Sequence, residues 1–163
     1  MDYSLTPAQA RAFHRLREMM EAYFVRRDAE QMLSYYTEDV HSIGTGVQET
    51  AFSRDELRRL VKEKIIRDPG PFSFSIEKVR ATGGNDGTVC LYTVLKVGKL
   101  LSADIPLCVE MRQTALLQEQ NGLFYIRAVH VSVPASQQKK DEYYPIQFGE
   151  QAFRERQANL DSS

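Results

Sequence analysis

Four side chains in this sequence have the chemistry of a proton-transfer site: His41, His130, Tyr36 and Glu110. An imidazole changes charge near neutral pH, and a carboxylate or phenol within hydrogen-bond reach tunes it for general acid or base work. Spacing along the chain pairs none of the four, so each also has a plain reading as a hydrogen-bonded structural group. Ser132 follows His130 on the same strand-like run, pointing the same way. No nucleophile-elbow glycines surround it, which discounts a nucleophilic triad. Asp39, ahead of a short apolar run, reads as a turn cap rather than a base. Cys90 and Cys108 lie in apolar runs without CxxC spacing or a neighbouring histidine pair. They read as small reduced core residues, and no metal or other cofactor is expected.

The totals narrow the class of protein. Lysine plus arginine number 21 against 22 aspartate plus glutamate. No basic stripe is interleaved with aromatics, so the electrostatic footprint of nucleic-acid binding is missing. No apolar run reaches the ~18 residues of a membrane span. The start, MDYSLTPAQ, lacks the charged and apolar regions of a secretory leader. These features lead to the expectation of a cytoplasmic protein away from membranes. A chain of 163 residues suits one domain with a sizeable core. That domain is expected over 1–148, with a polar connector of helical character over 149–163 whose charged run reads as leading to a further module.

Any site must be held by the elements that the patterning predicts. Thr6, Pro7 and Gln9 spell an N-cap, a proline at the first helical position and a capping-box partner. Asp28 with Gln31, and Ser53 with Glu56, repeat that spacing. The first helix is expected to run to about Arg27, with Phe13, Leu16, Met20, Tyr23 and Phe24 as its apolar stripe. The second runs from Ala29 to about Tyr36, and the third from Arg54 to Ile66. Between the last two, DVHSIGTG reads as a brief strand. Its Gly44 and Gly46 permit a positive φ or a close backbone approach. After Asp68-Pro69-Gly70-Pro71 the apolar period drops from 3.6 to 2, and four strands follow: 72–82, 88–97, about 103–118 and 124–133. GGNDG and QNG are hairpin turns, so consecutive strands pair antiparallel. The boundary near 98–102 has the weakest turn signal. Helices first and a curled antiparallel sheet after them make an α+β fold, the helices covering one sheet face.

The last strand, FYIRAVHVSVP, raises a question of facing. Under simple alternation Val129, Val131 and Val133 share one face, suited to burial beneath helices. Phe124, Ile126, Ala128, His130 and Ser132 then share the other. An exposed apolar row of that kind marks an association surface, so a homodimer through the sheet is expected. Its face would comprise Phe124, Ile126, His130 and Ser132 with Arg112 and Thr114 of the neighbouring strand. One bulge would exchange the faces.

Taken in order, AYFVRRDAEQMLSYYTEDVHSIGTG, SRDELRRLV, MRQTALL and NGLFYIRAVHVSVP resemble a SnoaL-like domain of the nuclear transport factor 2-like superfamily, over about Thr6 to Pro134. The closing HVSVP and the aromatic-proline segment Tyr143-Tyr144-Pro145 are similar to a branch found in bacterial signalling proteins, often ahead of effector modules. The resemblance implies a cone-shaped half-barrel with a pocket between helices and sheet, and commonly a homodimer through the sheet. Members usually carry tryptophan where Ser42 and Phe124 stand, so a pocket facing Ser42 would be enlarged here. The kinase hub domains of the superfamily hold pocket arginines at positions that match Val94, Ala115 and Val131, which would deprive a deep anion of its partners. Enzymes of the superfamily depend on pocket carboxylates, and no Asp or Glu clearly points inward from these strands.

The reading that follows is a non-catalytic sensory or dimerisation domain that binds a small, largely apolar molecule, with a possible downstream effector. Tyr23, Tyr36, Ser42, Tyr92, Met111, Arg127 and Val131 are its pocket candidates, each with the plain alternative of a core or rim residue. The alternative function is a small enzyme of isomerase, cyclase or hydratase type, using His41, His130, Tyr36 and Glu110 in the same pocket. A third reading is a dimer whose pocket is filled by its own side chains.

Overall fold

Three helix starts follow from three caps. Thr6 Oγ1 accepts from the Gln9 N–H while the Gln9 side chain accepts from the Thr6 N–H, closing the capping box of α1, Pro7–Met20. The helix continues as a π-helical turn, Glu21–Arg26, and stops where Arg27 takes a left-handed φ of 54°. Asp28 caps α2, Ala29–Leu33, through the Gln31 N–H at 2.9 Å. Ser53 caps α3, Arg54–Arg67, through the Glu56 N–H at 3.2 Å. The second helix is shorter than its pattern predicts. Ser34 and Tyr35 form a turn and Tyr36 opens the first strand, the Tyr35 carbonyl accepting from the Ile126 N–H at 2.8 Å.

Six strands follow the order β2-β1-β6-β5-β4-β3 in one unclosed sheet. They are β1 Tyr36–Ile43, β2 Thr50–Ala51, β3 Ser73–Gly83, β4 Thr88–Ser102, β5 Ile105–Gln120 and β6 Leu123–Ser132. β1 is longer than the brief strand expected around Val40, and it pairs parallel with β6. The two-residue β2 carries too little pattern to be seen in sequence. The β3–β4 and β5–β6 pairs are antiparallel hairpins. In the second, Asn121 and Gly122 both take positive φ, 52° and 81°, as the Asn-Gly turn requires.

A bulge decides the facing of β6. Leu116 pairs with Ala128 and Leu117 with Ile126, so Arg127 is an extra residue on β6. Phe124 and Ile126 before it, and Val129 after it, all point to the helices. Phe124 and Ile126 are fully buried. Their expected place on an exposed dimer face is therefore corrected: two apolar rows, offset by one residue, share the inner face. A second bulge lies between Ile76 and Lys78 of β3. Such irregularities bend and twist the sheet, which curves beneath the helices.

The core lies between the helices and the inner sheet face. Leu16 and Met20 of α1, Leu33 of α2, Val40 of β1, and Leu91, Leu95, Leu117 and Ile126 of the sheet have almost no exposed surface. The structure describes residues 4–102 and 105–134, without the side chains of 100–107. The domain boundary expected at 148, the Tyr143-Tyr144-Pro145 segment and the connector over 149–163 lie outside the described residues. Among the described residues no helix is long and apolar enough to cross a membrane.

Candidate functional site

A cavity of about 470 Å³ opens between the helices and the inner sheet face. Its wall is rich in thioethers: Met19 and Met20 of α1, Met32 of α2 and Met111 of β5 border it, four of the chain's five methionines. Tyr23, Phe24 and Phe72 add aromatic surface, and Leu57, Val61, Val97, Val129 and Val131 add aliphatic surface. Methionine is unbranched and polarisable, so such a wall adapts to the outline of what it meets.

Polar groups are few inside and concentrated at the rim. Tyr36 lies deep, and its hydroxyl donates to Met19 Sδ at 3.4 Å. Burial pushes its phenol well above the usual value, and the neighbouring Tyr23 adds to the rise. Gln113 of β5 also borders the cavity, its Oε1 accepting from Thr93 Oγ1 at 3.3 Å. At the rim, Glu49 Oε2 takes Lys64 Nζ at 2.7 Å and the Thr45 N–H at 2.9 Å. Burial opposes ionisation of Glu49, but the Lys64 hydrogen bond, the backbone N–H groups and the Lys64 charge together hold its carboxyl below the usual range. The loop closes tightly on this side chain. A Cβ on Gly44 would fall 2.8 Å from the Glu49 Cβ, so Gly44 serves a close approach rather than a positive φ.

Asp68 ion-pairs with Lys99. The Lys99 hydrogen bond, aided by the Gly70 N–H and the Lys99 and Arg27 charges, lowers its carboxyl against a smaller cost of burial. Arg27 spans the two ends of the helical lid. It donates to the Tyr23 carbonyl at 2.9 Å and the Asp68 carbonyl at 2.7 Å, with its guanidinium over the Tyr23 and Phe72 rings. Glu49 and Asp68 are the carboxylates bordering the cavity among the described residues, and each has a lysine partner.

Of the pocket residues predicted from sequence, Tyr23, Tyr36, Ser42, Met111 and Val131 border this cavity. Tyr92 and Arg127 do not. Tyr92 alternates with the buried Leu91 and Thr93 of β4 and is 45% exposed on the outer face. Arg127, the bulge residue, reaches Gln118 Oε1 at 3.2 Å and Asp39 Oδ2 at 3.5 Å outside the core. Arg112, Thr114, His130 and Ser132 stand on the outer face, with Thr114 opposite His130 and Arg112 opposite Ser132. Of the positions matched to hub arginines, Val131 borders the cavity and Ala115 is buried, whereas Val94 has the outward parity of Tyr92.

The proton-transfer candidates are not brought together. His130 and Glu110 have the outward parity of their strands. His41 stacks edge-on with Phe52 at 5.4 Å between centroids. Tyr36 alone of the four borders the cavity. Asp39 is exposed on β1 rather than capping a turn. Cys90 is half-buried and Cys108 exposed, both free, which corrects their expected place in the core: Cys90 shares the outward parity of Tyr92, and Cys108 that of Glu110 and Arg112. Sequence reasoning missed Gln113, Glu49, Lys64 and Arg27. Gln113 was recoverable, since it shares Met111's parity on one strand; the other three become neighbours only through the loop and lid.

The fold has many solved likenesses. An NTF2-like protein of unknown function from Pseudomonas putida superposes with a TM-score of 0.70 at 16% identity, covering 86% of this chain and 96% of that one. A ketosteroid isomerase-like protein from Erwinia carotovora atroseptica gives 0.63 at 15%, covering 80% and 99%. A putative calcium/calmodulin dependent protein kinase II association domain from Xanthomonas campestris gives 0.67 at 17%, covering 83% and 96%. At these identities the likeness is one of fold. No curated protein matches the chain. Residues 14–136 match the family model of the SnoaL-like domain, and with helices, curved sheet and open cavity all in place, this chain belongs to the SnoaL-like domain family.

Proposed function

We propose that the domain is a non-catalytic binding module, taking a small, largely apolar molecule into the cavity between helices and sheet. One observation carries the reading: a cavity of about 470 Å³ walled by methionines and aromatics, whose bordering carboxylates are both tied to lysines. Apolar surface supplies the affinity and a few polar groups the orientation, as in most small-molecule sites. An isomerase or hydratase would need a free base over the bound molecule. His41, His130 and Glu110 stand elsewhere, which weighs against the enzymatic alternative. The open space weighs against a pocket filled by its own side chains. Pairing of two copies through the outer sheet face belongs to the same proposal, as does residence in the reducing cytoplasm, which two free cysteines suit. A link to signalling rests on the sequence resemblance alone.

Fluorene, a rigid apolar probe, tests the reading. It is expected to raise the melting temperature of the wild-type chain and to bind measurably by calorimetry. Val131→Trp, which fills the cavity with an indole, is expected to weaken that binding at least tenfold while the far-UV circular dichroism is retained. Equal binding by the folded variant would move the site elsewhere.

A further inference from the structure

The edge of the sheet at β3 is protected over only part of its length. β3 ends the strand order, so one of its sides has no strand partner. Past Ile76 that side is guarded as exposed sheet edges usually are. Glu77 is bulged, and Lys78 and Arg80 are charged and exposed. Arg80 Nη1 donates to the Val79 carbonyl at 2.9 Å, and Gln9 Nε2 to the Gly83 carbonyl at 2.9 Å. Residues 72–76, FSFSI, have no charge, proline or bulge. Phe72 turns its N–H away from β4, to the Phe24 carbonyl at 2.8 Å. Backbone groups two residues apart on a strand point the same way. The N–H and carbonyl of Phe74 are therefore also turned to the open side, where no described residue takes them.

A groove of about 1040 Å³ runs along this unguarded stretch. Its facing wall is one row of α1 and the π-helical turn, Phe13, Arg17, Glu21 and Val25, each four residues after the last. α1 lies antiparallel to β3, since Gln9 meets Gly83 at one end and Phe24 meets Phe72 at the other. Lys99, also on the groove, is held by Asp68. Among the described residues neither Arg17 nor Glu21 has a side-chain hydrogen bond or ion pair. Four residues of helix rise about 6 Å, and two residues of strand about 6.7 Å. An extended chain laid against β3 would thus offer every second side chain to one rung of that row. The rungs run apolar, cationic, anionic, apolar. The β3 of a second copy would bring only the uncharged residues 72–76 and leave both charges unmatched, which favours a different chain.

We infer that the open edge of β3 and this groove form a binding site separate from the cavity, where an extended segment of a partner protein adds to the sheet as a further antiparallel strand. Running antiparallel to β3, that segment runs parallel to α1. From its N-terminus it carries apolar, acidic, basic and apolar side chains at alternate positions, which sets the acid against Arg17 and the base against Glu21. Main-chain pairing at Phe74 holds the segment, and the order of its charges fixes its direction.

Two blocked peptides of one composition test this: acetyl-Val-Thr-Glu-Thr-Lys-Thr-Val-amide, and the same peptide with its Glu and Lys exchanged. Calorimetry on the wild-type chain is expected to give about tenfold tighter binding of the first, which forms two exposed ion pairs where the second meets two like charges. The double variant Arg17→Glu with Glu21→Arg is expected to reverse that preference while the far-UV circular dichroism is retained. N-methylation of the first peptide at its threonines, or instead at its Glu and Lys, is expected to abolish binding in one case and be tolerated in the other, because alternate N–H groups face the edge. Failure of both peptides to bind at millimolar concentration, equal binding of the two, or a preference that survives the charge exchange overturns the site and leaves the cavity reading standing. Tolerance of both N-methylated forms overturns strand addition. A wild-type dimer that the first peptide splits in sedimentation equilibrium gives the edge to a second copy and overturns the partner segment. Should the double variant not fold, the charge-order preference and the N-methylation pattern on the wild-type chain decide.

Discussion

Glu49 shows how one side chain can hold a loop and shape an entrance together. It accepts from Lys64 and from the Thr45 N–H, and its bulk occupies the space that Gly44 leaves open. Only 24% of the side chain is exposed, so these contacts are not fully screened. Its carboxyl titrates lower in the folded chain than in the unfolded one, hence ionisation favours folding. That contribution is whole above the ordinary value of 4.5 and disappears as pH falls through the lower folded value. Glu49→Gln is expected to cost on the order of 1 kcal/mol at neutral pH and to flatten the acid limb of a melting-temperature profile taken below that value. An unchanged acid limb would show that the Lys64 pairing carries no stability. Neither Glu49 nor Lys64 was legible as a site residue, because the loop that brings them together has no periodic pattern to place it.

The last strand in sequence, β6, was legible in its parts and misread in its phase. Of the expected β-branched row, Val129 and Val131 turned inward as their residue types require, whereas Val133, one residue past the end of β6, is corrected to an exposed position. Phe124 and Ile126 were placed outside because strict alternation was carried through Arg127. A single extra residue reverses parity, and nothing in the local letters announces one. The caps of the helices, the Asn-Gly turn and the long strands could be read, since each depends on contacts within a few residues. The parallel pairing of β1 with β6 joins segments some eighty residues apart, and no short-range signal encodes it. The observed facing makes a sharp prediction. Ile126→Asp places a charge in the core and is expected to cost about 4 kcal/mol or more. His130→Asp lies on the outer face and is expected to stay within about 0.5 kcal/mol of wild type. Chemical denaturation of the two variants checks both. Equal losses would contradict the bulge.

For the molecule as a whole, the inner and outer faces of one sheet present different surfaces. The inner face is committed to the core and the cavity. The outer face carries Arg112, Thr114, His130 and Ser132 beside the half-exposed Tyr92, a mixed surface rather than the greasy one first expected. Pairing of two copies through it would therefore depend on fit and hydrogen bonding more than on apolar area. Thr114→Arg, which sets a long cation in the middle of that face, is expected to convert a dimer into a monomer in sedimentation equilibrium while fluorene binding persists. A mass that does not change would place any pairing elsewhere. Under the proposed function, separate faces would let a ligand in the cavity and a partner on the outer face use different residues.

Four thioethers around one hollow carry a chemical liability as well as plasticity. Oxidants turn methionine into a polar sulfoxide. Peroxide reaching through the mouth would thus put polar oxygen into the lining, and because Met19, Met20 and Met32 belong to the buried core it would loosen the packing as well as oppose the apolar binding proposed above. Preparations handled in air would then lose capacity gradually, and a reductase acting on sulfoxides would restore it.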